Sequence, residues 1–357
     1  MLDTKSVYPW WRTSEKDIAQ CLDSLRTGQT KILCRSAGGR EICYAVYGDK
    51  PDFGRRANYS SACGAHDTRF YADKSKKPPV VMLIGAVHGQ ELEGTAALLN
   101  LISLLETGKD LRGCENSLAR KVSGSKMRLI IIPVLNADGR ARCEPDSMLE
   151  MTPDELRYWG QGTWKDGSLC GWPDCKAVHP IKSSAGFLGA YYNDDGVNLM
   201  HDNFFNPMAE ETSALLKLAD DEAPDIIVQL HGGSNSTNEL LQTSYVPQYI
   251  KEGIHALAER CAGLAEAAGL PSSVRQVSAP ENFPPPSFDL ASALHHVCGG
   301  ISAVYESNEG LVDRNAFGAE DILEQHYLLF HAIFDYCAAT QWKLPSRGDP
   351  NTPPRLT

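Results

Sequence analysis

Polar side chains of types that bind metal ions or transfer protons follow three apolar segments of this sequence. His88 and Glu91 come after the apolar segment 80–87, and His231 and Glu306 each end a further apolar segment. Two imidazoles and a carboxylate can hold a catalytic zinc ion while one coordination position stays open for water. A separate carboxylate such as Glu306 can take a proton from that water and return it to the leaving group. The pattern predicts hydrolysis dependent on one zinc ion held by His88, Glu91 and His231.

The elements that position these residues alternate along the chain. A continuous β-branched run at 78–89 is typical of a central strand covered on both faces, and further strands are predicted at 127–136, 224–233 and 299–306. Helical spacing predicts helices at 91–108, 209–220, 252–269 and 321–340. Residues 31–48 have the pattern of a hairpin with a Gly-Gly turn. This order predicts an α/β fold, a three-layer sandwich whose central, mixed and largely parallel twisted sheet is flanked by helices. Ligands of such sheets bind where the strands end.

No linker or repeat divides the chain, so we expect residues 1–357 to form a single catalytic domain. Residues 49–79 are polar and predict an insertion or surface loop. Residues 140–206 are rich in Gly, Pro, Asp and Trp and lack strong periodicity. Long irregular segments of this kind are usually functional, and we expect this one to supply loops of the substrate site.

Composition narrows the choice of partners. The net charge is −11, the isoelectric point is near 5.4 and no basic run is longer than two residues, which argues against nucleic acid. No stretch approaches 18 apolar residues, so no membrane partner is expected. The first 17 residues lack an export signal and the eleven cysteines are scattered, which predicts a cytoplasmic location. Nothing in the sequence determines the oligomeric state.

Several motifs, in order, make the sequence similar to the zinc carboxypeptidases of the carboxypeptidase A type. HGQE (88–91) resembles the His-x-x-Glu metal motif, and NADGR (136–140) resembles the Asn-Pro-Asp-Gly segment of that family. GVNLMHDNFF (196–205) lies where the family has Gly-Val-Asp-Leu-Asn-Arg-Asn-Phe. Three further segments resemble the family in the same order: the opening hairpin at 31–48, the strand-end histidine in QLHGG (229–233) and the strand-end general base in VYES (304–307). The resemblance implies the same fold, a zinc cofactor, and Glu306 as general base, with Glu309 as its competitor.

The sequence departs from that family where the substrate's end is bound. The family's Asn-Arg pair, which holds a terminal carboxylate, is replaced by Met200 and His201, and Asp202 follows. The aspartate that commonly orients the first zinc histidine is Asn198 here. Its role is therefore expected to pass to Asp194, Asp195 or Asp202.

Other candidates have less specific signals. An arginine usually shares stabilisation of the oxyanion with zinc, and Arg142 and Arg157 remain equal candidates for that role. Asn136, His201, Asp202 and Asp289 are candidate substrate-binding residues. Phe283 and Phe288 occupy the region where the family tends to place a mobile tyrosine, and either could wall an apolar pocket.

Together these features predict a zinc-dependent hydrolase of amide or peptide bonds, carboxypeptidase-like but with atypical recognition of the substrate's end. Its partner would be a peptide or a peptide-like small molecule, such as a conjugate, an acylated amino acid, or a peptide with a cationic or capped end. The alternative to this atypical recognition is that an arginine from a different loop holds an ordinary terminal carboxylate. One alternative is an N-acyl-amino-acid deacylase of the aspartoacylase or succinylglutamate desuccinylase type. Another is a zinc-binding protein that has lost catalysis, and the retained Glu306 argues against it.

Overall fold

A computed structural model describes residues 4–233, 239–272, 284–312 and 317–339. Within these residues the strands are β1 (Gln29–Arg35), β2 (Glu41–Tyr47), β3 (Val80–Gly85), β4 (Arg128–Ile132), β5 (Gly162–Trp164), β6 (Ala185–Leu188), β7 (Ile226–Gly232), β8 (Glu239–Leu241) and β9 (Ile301–Ser307). The helices are α1 (Thr4–Val7), α2 (Glu15–Asp23), α3 (Tyr59–Gly64), α4 (Glu93–Thr107), α5 (Leu118–Ser125), α6 (Ala137–Arg142), α7 (Pro153–Gly160), α8 (Glu210–Glu222), α9 (Gln248–Ala267), α10 (Leu290–Cys298) and α11 (Ala319–Ala339).

Seven of the described strands form one mixed sheet in the order β1-β2-β4-β3-β7-β9-β8. The four central strands β4, β3, β7 and β9 are parallel, and the strands toward both edges pair antiparallel. Strand β3 is buried along its whole length, as its continuous Val, Met, Leu and Ile side chains require for a strand covered on both faces. Strands β5 and β6 form a separate small sheet.

Helices cover both faces of the large sheet. One apolar core packs alternate strand residues such as Leu83 and Val228 against α2, α4, α5, α9 and α11. The other core packs the intervening residues, such as Met82 and Ile227, against α3, α8 and α10. This alternation follows from the two-residue period of side chains along a strand. The predicted three-layer α/β sandwich with a largely parallel central sheet is confirmed.

The long periodic segments were predicted more closely than the short ones. Helix α4 ends where Gly108 adopts a left-handed conformation with φ 79°, as the sequence indicated. Helices α2, α5 and α7 and the small sheet were not predicted, although α2 and α7 each begin with a capping box, Ser14 with Asp17 and Thr152 with Glu155. Residues 49–79 contain α3 and bury Tyr59 and Tyr71 against the second core. In the described part of the chain, no helix is long and apolar enough to cross a membrane.

Candidate metal and catalytic site

The candidate site lies at the edge where three neighbouring parallel strands end. His88 and Glu91 are in the turn between β3 and α4, and His231 is near the end of β7, the next strand in the sheet. Glu306 lies on β9 directly opposite His231 in the parallel register. The strand order thus brings together four residues, of which the first and last, His88 and Glu306, are more than 200 positions apart in the sequence.

His88, Glu91 and His231 form a compact set of potential metal ligands. The Nδ1 atom of His88 lies 2.8 Å from one Glu91 carboxylate oxygen, and the Nδ1 atom of His231 lies 2.8 Å from the other. Potential ligand atoms of the three residues all lie within 4.8 Å of one another, and the side chains are buried. Two imidazole nitrogens and one carboxylate that converge on one point match the donor set of a catalytic zinc site.

The charge states of two of these residues also suit a metal ion. Burial lowers the pKa of His88 despite the nearby carboxylate, which favours the neutral ring that can donate a lone pair. Burial opposes ionisation of Glu91, but the two imidazoles hold its pKa down at about 2. The Nε2 atom of His231 is buried without a hydrogen-bond partner among the described residues. The residues therefore fit a divalent cation with nitrogen and oxygen ligands.

Asn198 orients His88. The Nε2 atom of His88 lies 3.3 Å from Asn198 Oδ1, and an Nε2–H that donates to this oxygen leaves Nδ1 free to bind a metal ion. The ring of Tyr191 stacks on His88 at 3.5 Å between ring centroids and an interplanar angle of 16°. The backbone N–H of Asn198 donates to His179 Nε2 at 2.8 Å, which fixes the segment that carries the amide.

The acidic residues expected to replace the family's aspartate have other partners, so that expectation is corrected. Asp194 pairs with Arg40 and Arg142, and Asp195 lies 3.8 Å from the Nζ atom of Lys182. Asp202 accepts hydrogen bonds from three backbone amides in the loop that follows it. The amide oxygen at position 198 supports His88 without a carboxylate.

Glu306 has the environment of a general base. Burial raises its pKa to about 7, His231 opposes this shift, and the negative charges of Glu91 and Glu239 add to it. A carboxylate with a pKa near neutrality can both accept and return a proton. Glu306 lines a cavity of about 390 Å³ together with Glu91, Tyr191 and Trp172.

Glu309, the competing candidate for this role, lines the same cavity and is buried. It lies beyond the end of β9, whereas Glu306 pairs in register with the ligand His231. The strand position therefore favours Glu306, as the sequence did.

Neither candidate arginine lies among the residues that line this cavity. The guanidinium of Arg142 donates to the backbone oxygens of Leu188, Gly189 and Tyr192 and pairs with Asp194. These partners occupy all three of its nitrogens. The role of Arg142 in this structure is to hold the loop that carries Tyr191 and Tyr192, which corrects its assignment to the oxyanion.

Arg157 is on α7, and its guanidinium pairs with Asp154 at 3.0 Å on the exposed side of that helix. The neighbouring Leu156 lines the cavity instead. This arrangement gives Arg157 no contact with the described catalytic residues. The structure therefore leaves the oxyanion without either predicted arginine.

Two further candidates have structural partners that correct their assignment as substrate-binding residues. Asn136 is fully buried, caps α6 by accepting from the backbone N–H of Gly139 at 2.8 Å, and donates to Ala190 O at 3.1 Å. Asp202 is buried, its carboxylate accepts from the backbone amides described above, and it is not among the residues that line the cavity.

Asp289 caps α10 and lies close enough to the site to interact with His231. It accepts from the backbone N–H of Ser292 at 2.9 Å, and burial raises its pKa. Phe288 packs on Phe205 at 5.6 Å between ring centroids, while Phe283 lies outside the described residues. The segment before α10 is therefore anchored through both the cap and its aromatic ring.

His201 is a neutral hydrogen-bonding group. Burial, together with the positive charge of Lys176, lowers its pKa to about 3, so the ring cannot serve as a cation at neutral pH. Its Nε2 atom lies 2.8 Å from Lys176 Nζ, and its Nδ1 atom lies 3.1 Å from Ser287 Oγ. The neighbouring Met200 is buried in the second core.

Lys176, Tyr191 and Trp172 were not predicted as site residues. All three come from the aperiodic segment 140–206, in which spacing carries no information about direction. The available signal was the proximity of the Tyr191–Tyr192 pair to Asn198 in a segment already matched to the family. Lys176 had no such signal.

Comparison with known proteins places this site in a family. The family model for zinc carboxypeptidase matches residues 23–273. No curated protein sequence matches the chain at a significant level.

Solved structures share its fold at low sequence identity. A metallo-carboxypeptidase from Burkholderia cenocepacia is 16% identical, with a TM-score of 0.57 over 91% of this chain and 69% of the other. Carboxypeptidase A from Helicoverpa armigera is 16% identical, with a TM-score of 0.54 over 92% and 73%. A metallo-carboxypeptidase from Pseudomonas aeruginosa in complex with (2-guanidinoethylmercapto)succinic acid is 11% identical, with a TM-score of 0.55 over 91% and 70%.

Proposed function

The chain belongs to the zinc carboxypeptidase family, and we propose that it is a zinc-dependent hydrolase of amide or peptide bonds with atypical recognition of the substrate's end. The observation that carries this proposal is the convergence of His88, Glu91 and His231 beside Glu306. A ligand set alone suits many zinc proteins. A buried carboxylate aligned in register with one ligand adds the group that hydrolysis requires.

A zinc ion held by the three ligands would supply a Lewis acid that lowers the pKa of water and polarises a carbonyl. Glu306 would accept a proton from the attacking water at a carboxylate oxygen and return it to the nitrogen of the leaving amine. Tyr191 and Trp172 line the cavity beside Glu306. Asn198 holds the ring of His88 in its working orientation.

The substrate's end is recognised without the Asn-Arg pair that the family uses. Met200 is buried in the core and His201 is neutral, so neither can hold a carboxylate in the way that a guanidinium does. Another group must serve in their place. Recognition of the end is therefore the part of this function in which the chain differs from its family.

The test begins with zinc-loaded protein and a panel of blocked dipeptides and N-acyl amino acids. We expect hydrolysis of an amide bond, and Glu306→Gln should lower kcat/KM by about 10²–10⁴-fold because acid–base catalysis is lost. Zinc content measured by atomic absorption should not change. The matched variant Glu309→Gln removes a charge from the same cavity and should cost much less. Parent-like turnover by Glu306→Gln, or an equal loss in both variants, contradicts the assignment.

A further inference from the structure

The cavity beside the metal ligands has strongly acidic walls. Its lining includes Glu91, Glu239, Glu306 and Glu309 and, among the described residues, neither lysine nor arginine. Glu91 would ligate zinc, so an anionic substrate group that enters this space meets repulsion from the other three carboxylates. A substrate with a free carboxylate next to the scissile bond therefore needs a cation at the rim of the cavity.

The two arginines predicted from the sequence, Arg142 and Arg157, have other partners and do not supply this positive charge. Four of the five N–H donors of Arg142 are directed to backbone oxygens and to Asp194. Arg157 pairs with Asp154 on the exposed side of its helix. A different side chain has to provide the positive charge.

Lys176 is placed to do so. It ends a short 3₁₀ helix, Asp174–Lys176, and its Nζ atom lies 5.8 Å from the ring centroid of Trp172, which lines the cavity. On its other side, Nζ lies 2.8 Å from His201 Nε2. The ammonium thus lies between Trp172, in the wall of the cavity, and His201.

The hydrogen bonds of Lys176 leave it with donors to spare. An ammonium has three N–H groups, and in the described part of the chain one is directed to the neutral ring of His201. Ser287 Oγ lies 3.1 Å from the other ring nitrogen and fixes the imidazole. Two N–H groups therefore remain for an incoming anion.

We propose that Lys176 binds the free carboxylate of the substrate next to the scissile amide, with His201 as its positioning residue. This inference rests on the proposed function, and it assigns to Lys176 and His201 of this chain the binding of a free carboxylate on an acyl or peptidyl amino acid. The ammonium and the imidazole together perform the carboxylate binding that one arginine performs elsewhere in the family. Lys176 binds as a point charge, without the two-pronged geometry of a guanidinium.

The kinetic test compares benzoyl-glycyl-phenylalanine with its C-terminal amide on zinc-loaded protein. Lys176→Met should lower kcat/KM for the free acid by about 10- to 100-fold, mainly through KM, because a charged hydrogen-bonding partner is lost. Activity on the amide should change less than about threefold. Lys182→Met, which removes an exposed lysine from the same segment, should leave both substrates unaffected.

The pattern of loss separates the possible roles. An equal loss on acid and amide assigns Lys176 to the scissile carbonyl and overturns the proposal, as does no loss on either. A parent enzyme that cleaves the amide faster than the acid also overturns it. His201→Asn keeps a neutral hydrogen-bond acceptor and should retain more activity on the acid than His201→Leu, which a merely structural role does not require.

A binding experiment separates this proposal from the proposed function. Calorimetric titration of both compounds into zinc-loaded Glu306→Gln protein measures recognition without turnover. The acid should bind about 10- to 100-fold more tightly than the amide, and Lys176→Met in the same background should abolish that difference. Equal binding, including none by either, overturns the role of Lys176. If the acid binds in a manner that depends on Lys176 but the parent enzyme hydrolyses neither compound, the hydrolase proposal is contradicted and the role of Lys176 in binding is not.

Discussion

Replacement of Asn198 tests whether a single amide supports the first metal ligand. Asn198→Ala removes the oxygen that faces His88 Nε2. This oxygen is the group that keeps the ring proton on Nε2, away from the metal-binding Nδ1. Loss of such an outer partner typically costs 10- to 100-fold in metal affinity. The observed contact of 3.3 Å is long for an N–H···O bond, so we expect the lower end, about tenfold. That corresponds to about 1.4 kcal/mol.

The opposite substitution should have the opposite effect. Asn198→Asp keeps an oxygen that can accept from the backbone N–H of Met200, and it gives His88 a charged acceptor. A charge-assisted hydrogen bond is shorter and roughly twice as strong as a neutral one. Zinc affinity should therefore rise by several-fold above that of the parent.

Competition with a chromophoric chelator at fixed pH measures both variants. Asp195→Ala is the control, because Asp195 lies near Asn198 in sequence but pairs with Lys182 on the surface, and its zinc affinity should equal that of the parent. Thermal unfolding without metal separates loss of the backbone cap from loss of the ligand's support. The reasoning is refuted if folded Asn198→Ala binds zinc as tightly as the parent, or if Asn198→Asp binds it more weakly. Stacking by Tyr191 would then be what holds His88.

Three further outcomes follow from contacts described above. Zinc should raise the unfolding temperature in a concentration-dependent manner because it binds only the folded state, and His231→Ala should remove this effect in differential scanning fluorimetry. The pKa of buried His295 is lowered to about 4 from about 6.5 in the unfolded chain, so its contribution to stability is complete above pH 6.5. The free energy of unfolding should fall by up to about 3 kcal/mol as pH falls toward 4, and urea titrations should show a flatter profile for His295→Gln. Arg142→Met should destabilise the fold by about 2–4 kcal/mol because buried carbonyls lose their donors, while Arg157→Met should change it by less than about 0.5 kcal/mol in the same titrations.

The central layers could be predicted because their sequence patterns are long. Strand β3 is a continuous apolar segment and β7 is apolar apart from Gln229 and His231, and burial on both faces is the simplest explanation of that pattern. The convergence of His88, Glu91 and His231 then followed from the order of parallel strands and from the family resemblance. Local pattern and tertiary packing agree in this part of the chain.

The surroundings of the ligands could not be predicted in the same way. Asn198 and Lys176 lie in irregular backbone, where tertiary contacts rather than periodicity set the direction of each side chain. Arg142 shows the difficulty: its position after the NADGR motif correctly indicated the neighbourhood, but its side chain turns toward backbone oxygens instead of the cavity. A carboxylate such as Asp202 likewise reveals nothing in sequence about the backbone amides that occupy it.

The parallel pairing of His231 with Glu306 has a consequence for how this protein could be altered. The two residues are held at a fixed separation by a ladder of main-chain bonds, while Lys176, Trp172 and Tyr191 are carried by a segment outside the central sheet. Libraries that vary only positions near Lys176 and Trp172 could therefore redirect which molecules are cleaved without disturbing the chemistry. Changes to either strand would put reactivity itself at risk.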